Sequence, residues 1–291
     1  MKKRRILLIV IACLVVFVSG DIWASYHVLH VSRYSFTSSK VTGSVSICVI
    51  SDLHDHSFGK DNAALVEKIS LEKPDVILFC GDLLNEDSKD ASVAVEAISG
   101  LSAVAPVYVS LGNHEVSYMK NHPSQDLVGE YTDAGAVVLE QAFQDMEVNG
   151  NVIRLGGMYA YAFGSDDTGN TAASAPSGVK SFLTSFCDTS CLKIMMAHRP
   201  DSFVFGDVSS VYDIDLVVSG HDHGGQVVVP FLGGLYGGDQ GWFPKYIHGL
   251  YQKDLERIFV TSGLSSQKEL LPRFNNLPEI AMITINGGSD D

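Results

Sequence analysis

The 291-residue chain has almost no clustered positive charge outside its first five positions. Twenty Lys and Arg stand against 34 Asp and Glu, for a formal charge of −14, and removing Lys2, Lys3, Arg4 and Arg5 would take it to −18. A surface this acidic is a poor match to a nucleic-acid backbone, which needs Lys/Arg patches, so nucleic acid is not an expected partner. Cysteine is scarce. The chain has five, and Cys187 and Cys191 form the one close pair, with no second pair to complete a zinc site. That pair reads either as a short disulfide, permitted in an exported domain, or as two thiols. Cys48 and Cys80 fall within apolar strand patterns, where inert buried thiols occur. No internal repeat is visible, and there is only one long apolar run.

That run, Ile6 to Gly20, directly follows the basic cluster. Fifteen helical residues reach about 22 Å, short of the roughly 30 Å hydrocarbon core of a bilayer. Asp21 interrupts, and Ile22, Trp23 and Ala24 extend the span, with Trp23 suited to the interface. Two readings remain: an uncleaved signal-anchor over residues 1–24, and a signal peptide cut near Val18-Ser19-Gly20. The basic end stays cytoplasmic in either case, which leaves the remainder anchored outside the membrane or secreted. Residues 25–44 read as a juxtamembrane connector and 287–291 as a solvated tail.

Between them runs a βαβ rhythm. Val45–Ile50, Asp75–Cys80 and Val107–Leu111 are continuous apolar runs of the kind buried on both faces of a parallel sheet. Helical spacing over 62–73 and 91–99 separates them, and 126–134 is a further helix. Asn149-Gly150 between two apolar segments signals a hairpin, so antiparallel strands join the parallel ones and the fold is mixed α/β. Lys193–Ala197 and Asp215–Ser219 are later buried strands. The Ser/Gly/Asp-rich 164–178 stretch reads as a surface loop or a lid. The aromatic, Gly-rich 231–251 stretch reads as an apolar lip near the membrane or as core.

Five of these apolar runs end in chemistry: Asp52-Leu-His54, Gly81-Asp82, Gly112-Asn113-His114-Glu115, His198-Arg199 and Gly220-His221-Asp-His223. Loops after strand C-termini meet in one crevice of an open α/β sheet. Any one fragment alone is commonplace. Together they deliver carboxylates, an amide and imidazoles to one place, a donor set for two divalent cations. Mixed N/O donors favour Mn, with Fe or Zn next, over Ca or Mg. Asp82 is the candidate bridge between the cations. Asn113 adds a neutral oxygen. His221 and His223, one residue apart, are spaced to straddle two ions. His114 is a non-ligand able to protonate a leaving oxygen, with Glu115 placed to orient it. Arg199 reads as a phosphate contact or a salt bridge. Asp55 and His56 read as supports and Asp222 as a solvated loop residue.

This ordered set resembles the calcineurin-like metallophosphoesterase superfamily over most of 45–286. The resemblance implies two mixed β-sheets packed together and flanked by helices, a four-layer sandwich. It implies that Asp52, His54, Asp82 and His223 hold one metal, that Asp82, Asn113, His198 and His221 hold the other, and that His114 is the catalytic histidine. Runs such as Gly220-His-Asp-His-Gly-Gly-Gln226, Pro230-Phe-Leu-Gly-Gly-Leu-Tyr236 and Pro272-Arg-Phe-Asn-Asn-Leu-Pro-Glu279 are similar to the bacterial membrane-associated branch. They mark Arg273 and Asn275 as candidates for phosphate contact. Thr261-Ser-Gly-Leu264 stands where many such relatives carry Ser-Arg-Gly-Leu.

The expected function is therefore a membrane-tethered phosphoesterase acting on a phosphodiester or pyrophosphate, with a lipid or envelope precursor as the leading substrate class. A phosphomonoesterase, a protein phosphatase and a non-catalytic metal-bound scaffold are the alternatives. The expected partners are the membrane and the phosphoester substrate. Nothing in the sequence points to a protein partner.

Overall fold

A computed structural model describes residues 2–158, 171–254, 256–266 and 271–289. Its helices are α1 Lys2–His27, α2 Ala63–Glu72, α3 Ser92–Ser102, α4 Asn113–Asn121, α5 Leu127–Asp133, α6 Ser177–Cys187, α7 Asp201–Val204 and α8 Val208–Val211. The long strands of the first half are β1 His30–Ser38, β2 Ser44–Ile50, β3 Val76–Cys80, β4 Val107–Ser110, β5 Ala136–Val138, β6 Ala142–Val148 and β7 Asn151–Met158. Those that follow are β8 Leu192–Ala197 and β9 Leu216–Ser219, then four two-residue strands, β10 Val228–Val229, β11 Gly233–Gly234, β12 Tyr236–Gly237 and β13 Gly241–Trp242. The chain closes with β14 Gly249–Lys253, β15 Glu256–Val260 and β16 Glu279–Gly287.

Two six-stranded sheets result, ordered β1-β16-β2-β3-β4-β5 and β14-β15-β9-β8-β7-β6. Each carries a parallel core with an antiparallel pairing, β16 on β2 in the first and β6 on β7 and β14 on β15 in the second. The alternation of side chains along each strand sorts them between two layers of core. Ile47, Val49, Leu78 and Tyr108 meet Ile153, Leu155, Ile194 and Phe259 between the sheets. Cys48, Ile50, Ile77 and Phe79 face the other way, onto α2, α3 and α5. On the far side of the second sheet, Met195, Val217 and Ile258 pack on α6 and the short α7–α8 turn. The sandwich is thus helix, sheet, sheet, helix. The predicted hairpin forms between β6 and β7, with Asn149 at φ 51° and Gly150 at φ 78°, the paired positive angles of a tight two-residue turn.

The connector expected over 25–44 is a correction. Ser25–His27 complete α1, and His30–Ser38 form an edge strand, parallel to β16. Its exposed and half-buried side chains, with Phe36 and Ser38 buried, lack the apolar run that betrays an inner strand. The segment is held instead by main-chain pairing, which composition does not report. α4 also lacks a helical signature in the sequence, because its residues carry the charges and amides of a loop. The predicted lid lies in part outside the described residues. Of it, 171–176 form a turn, and Ser177–Gly178 begin α6. Cys187 and Cys191 are both free thiols.

Candidate metal centre

Six of the seven predicted ligands converge where both sheets present their strand C-termini, and the seventh, Asn113, precedes His114 at the start of α4. Asp52 and His54 follow β2, Asp82 follows β3, Asn113 and His114 open α4 after β4, His198 follows β8, and His221 and His223 follow β9. Three sets of donors lie within 4.8 Å: Asp52 with His54 and His223, His54 with Asp82 and His114, and Asp82 with His198 and His221. Asp82 Oδ2 lies 3.0 Å from His198 Nε2 and 3.9 Å from both His54 Nε2 and His114 Nε2. Asp52 Oδ1 lies 3.6 Å from His223 Nδ1 and 3.8 Å from His54 Nε2.

The backbone is bent hard to achieve this. Asp52, His54, Asp82, His221 and His223 all adopt positive φ, between 46° and 73°. Such angles are uncommon in residues with a Cβ and cluster at functional sites. Gly112 and Gly220 let the carboxylates come close. A Cβ at Gly112 would lie 2.1 Å from Asp82 Oδ1, and one at Gly220 would lie 2.4 Å from Asp52 Oδ2.

Each imidazole is turned by a fixed partner. His54 Nδ1 is 3.0 Å from Asn85 Oδ1, and Asn85 is itself held by Asp55 Oδ2, so Nδ1 carries the proton and Nε2 faces the centre bare. His198 Nδ1 donates to the Cys80 carbonyl at 2.6 Å, which likewise turns Nε2 inward. Asp239 Oδ2 takes Nε2 of His221 at 2.6 Å, leaving Nδ1 for the centre. The Glu86 N–H donates to His114 Nδ1 at 3.1 Å, which places the neutral ring's proton on Nε2. Carboxylate or carbonyl partners behind histidines are the usual backing of metal ligands.

Two observations favour a cation here. Nε2 of His54 and Oδ1 of Asn113 are buried and have no hydrogen-bond partner among the described residues, a costly state unless something else binds them. Burial alone would raise the Asp82 pKa, but the surrounding His198, His54 and His114 prevail and hold it well below the carboxylate range. Burial alone would lower that of His198, yet the charges of Asp82 and Asp52 lift it to about 10. The negative potential of two buried aspartates attracts any available positive charge. His54, more dominated by burial, falls to about 4 and stays a neutral donor.

Several expected roles need correcting. Glu115 does not orient His114. Its oxygens accept the Asp82 and Gly112 N–H at 2.8 Å and the Leu83 N–H at 2.6 Å, so it clamps the Asp82 turn to the start of α4. Burial, then the charge of Asp82, lifts its pKa to about 7. Arg199 reaches Asp239 at 2.5 Å and Asp201 at 3.6 Å, which is the salt-bridge reading. Arg273 is fully buried and donates to the carbonyls of Ser262, Gly263, Ser265, Asn276 and Leu277, with no face left for a phosphate. Asn275 donates its side-chain amide to Val228 O and its N–H to Asp21. Asp222 is buried, not solvated. Gln240 holds one oxygen at 2.7 Å, and burial, then nearby Asp201, raises its pKa well above normal.

Asn85 and Asp239 were missed. Asn85 lies three residues after Asp82 and looks like an ordinary loop amide. Asp239 sits in a glycine-rich stretch, and nothing local ties it to His221, 18 residues away.

A profile of calcineurin-like phosphoesterases matches residues 45–225. The chain belongs to that family. That family uses a dinuclear metal centre. Phosphodiesterase YaeI of Escherichia coli is 30% identical over 82% of this chain and 81% of its own length. An uncharacterized metallophosphoesterase of Campylobacter jejuni is 29% identical over 73% of this chain, which spans only 50% of that longer protein. The calcineurin-like phosphoesterase YfkN of Bacillus subtilis has a solved structure that covers 83% of this chain and 81% of its own, at 14% identity and a TM-score of 0.41.

Proposed function

We propose that the protein hydrolyses a phosphodiester or pyrophosphate bond at a two-cation centre, held to a membrane by α1. In this reading Asp52, His54, Asp82 and His223 hold one cation and Asp82, Asn113, His198 and His221 the other, with manganese the leading choice and iron or zinc next. The observation that carries it is Asp82, whose carboxylate belongs to two of the three donor sets. A pair of divalent cations needs an anion between them, and two aspartates reduce their charge to about +2, enough to attract an anionic ester.

When bound, the cations polarise the phosphoryl oxygens and make water nucleophilic at neutral pH. The chain supplies orientation and protons. His114 keeps its Nε2 proton because Glu86 N–H occupies Nδ1, and its side chain is 25% exposed, so it can reach an incoming ester. It donates that proton to the leaving oxygen as the P–O bond breaks. Glu115 fixes the two turns on which Asp82 and His114 sit, so acid and carboxylate keep their spacing.

The diester preference is supported by the phosphodiesterase name of the Escherichia coli relative, which this chain matches over most of both lengths. The membrane reading is supported by α1, 26 residues long and apolar enough to cross a bilayer by length and composition. The catalytic body then begins at the edge strand His30–Ser38 and runs to Gly287. Kinetics of the manganese-loaded full chain on bis-p-nitrophenyl phosphate and p-nitrophenyl phosphate test the preference. A higher kcat/KM on the diester is expected, and a higher value on the monoester overturns it. His114→Ala that keeps its metal yet keeps full turnover of an alkyl diester, whose leaving group needs a proton, would remove the proton donor from the scheme.

A further inference from the structure

We propose that the loops around the docked end of α1 sink into the lipid–water boundary, so that Phe231, Leu232, Trp242 and Phe243 contact bilayer. This rests on reading α1 as an uncleaved span.

The first observation is length. The apolar run Ile6–Gly20 falls short of the hydrocarbon core by about 8 Å, or about five helical residues. The residues that must make up the shortfall are 21–25, and they are not free of the body. Asp21 Oδ2 accepts the Asn275 N–H at 2.5 Å, Ser25 is fully buried, and the Tyr26 hydroxyl accepts the Arg273 N–H at 3.1 Å. One turn earlier, the ring of Phe17 meets that of Phe274 at 6.4 Å. A helix inserted far enough to span carries these docked loops down with it.

The second observation is what those loops display. Phe231 is 108% exposed, and Leu232, Phe243 and Trp242 are 69%, 64% and 57% exposed. Large apolar side chains gathered this densely on a soluble surface mark an interaction site. They adjoin α1. Asn275 links Asp21 to Val228 at the base of the 228–234 hairpin, and Asp21, Leu232 and Phe243 share the wall of one cavity of about 900 Å³. Trp23 is also exposed and stacks on His27 at 5.0 Å, as an aromatic at a bilayer boundary would. The occupant is lipid rather than a protein because this surface is continuous with a helix whose apolar window has no residue buried in the fold.

The consequence concerns substrate. Gly224, next to His223, lines the same cavity, and the His223 carbonyl accepts the Asn276 amide at 2.7 Å. With the rim immersed, the His223 loop lies beside the headgroups, and the centre is reached by a phosphoester resident in the bilayer.

The test uses the full chain in phosphatidylcholine vesicles. The chain has two tryptophans, so a Trp23→Phe background isolates Trp242. Acyl chains brominated near the headgroup should quench Trp242 and its emission should shift to the blue. Adding Phe231→Ser and Leu232→Ser should abolish most of the quenching while hydrolysis of soluble bis-p-nitrophenyl phosphate stays unchanged. Retention of the protein in vesicles through a carbonate wash checks the span separately. Retained protein with an unquenched, water-like Trp242 overturns the immersed rim. Protein released by the wash overturns the span. A blue shift that depends on protein concentration in detergent, without bromine quenching, assigns the surface to a second copy and overturns the proposal.

Discussion

The two sheets bring different chemistry to one crevice. The first supplies both aspartates, the amide, the proposed proton donor and a single candidate ligand imidazole, His54. The second supplies only imidazoles, His198, His221 and His223. Their supports differ in the same way. The anionic side is built by main-chain clamps, with Glu115 taking three backbone N–H groups and Asp82 Oδ1 accepting the His114 N–H at 2.9 Å at the start of α4. That position at a helix N-terminus favours negative charge. The imidazole side is aimed by single acceptors, the Cys80 carbonyl and Asp239. In the proposed two-cation reading the anions must be close and rigid, because Asp82 would bridge the cations, whereas each imidazole needs only the correct nitrogen forward. Damage to the anionic side should therefore cost more than damage to the other.

Asp82→Asn is the severest break. It removes the shared anion and should abolish binding of the second equivalent of manganese by calorimetry, with turnover falling to that of the metal-stripped protein. Two tightly bound equivalents in this variant would end the bridging role. Next comes His114→Gln, expected to keep both metals and lose about 10²- to 10⁴-fold in kcat, the usual worth of a positioned acid. A diester with a p-nitrophenolate leaving group, which departs without a proton, should suffer less than an alkyl one, and equal losses on both would refute the acid role. Asp239→Asn on the second sheet should weaken metal affinity by about 10–100-fold, the range for removing a partner behind a ligating histidine. It should leave kcat at saturating metal near that of the wild type. If it damages the centre as much as Asp82→Asn, the asymmetry between the sheets is wrong.

The first sheet's half of this was open to a reader of the sequence and much of the rest was not. Val45–Ile50, Val76–Cys80 and Val107–Ser110 are inner strands, so burial on both faces writes an unbroken apolar run and marks the ligand after it. Edge strand His30–Ser38 has no such run, since register with β16 defines it and register is a long-range property. The aim of the ligands was equally hidden. His54 is visible as a candidate, but its tautomer depends on Asn85, 31 residues away, and that of His114 depends on a backbone N–H, 28 residues away. Arg273 misled for a related reason. A guanidinium in a motif suggests an anion, but five main-chain carbonyls satisfy its donors just as well, and only the folded loop reveals which.

The gentlest probe of the comparison lies away from the cations, in two buried glutamates that each begin a strand. Glu279 opens β16 in the first sheet. Burial pushes its pKa up, but the His248 hydrogen bond and charge outweigh that and hold it at about 2. Thr261 Oγ1 and the Ser262 N–H bind its other oxygen at 2.8 and 2.9 Å. Glu256 opens β15 in the second sheet, and neither of its oxygens has a hydrogen-bond partner among the described residues. Burial lifts it to about 9, with Lys253 opposing and Asp254 reinforcing. The two should pull stability in opposite directions with pH. A depressed carboxylate contributes stability that is present above its unfolded pKa near 4.5 and lost as pH falls toward 2. A raised one contributes stability that is present below about 4.5 and lost as pH rises toward 9, at up to about 1.4 kcal/mol per pH unit. Glu256→Gln should therefore flatten the decline in urea-unfolding free energy between pH 5 and 8, gaining on the wild type at the higher pH. Glu279→Gln should lose stability at both, because its neutral amide leaves His248 and the 261–262 turn poorly bound. Neither substitution should alter metal binding. If Glu256→Gln tracks the wild type in parallel from pH 5 to 8, that glutamate is ionised in the fold, and Lys253 outweighs burial.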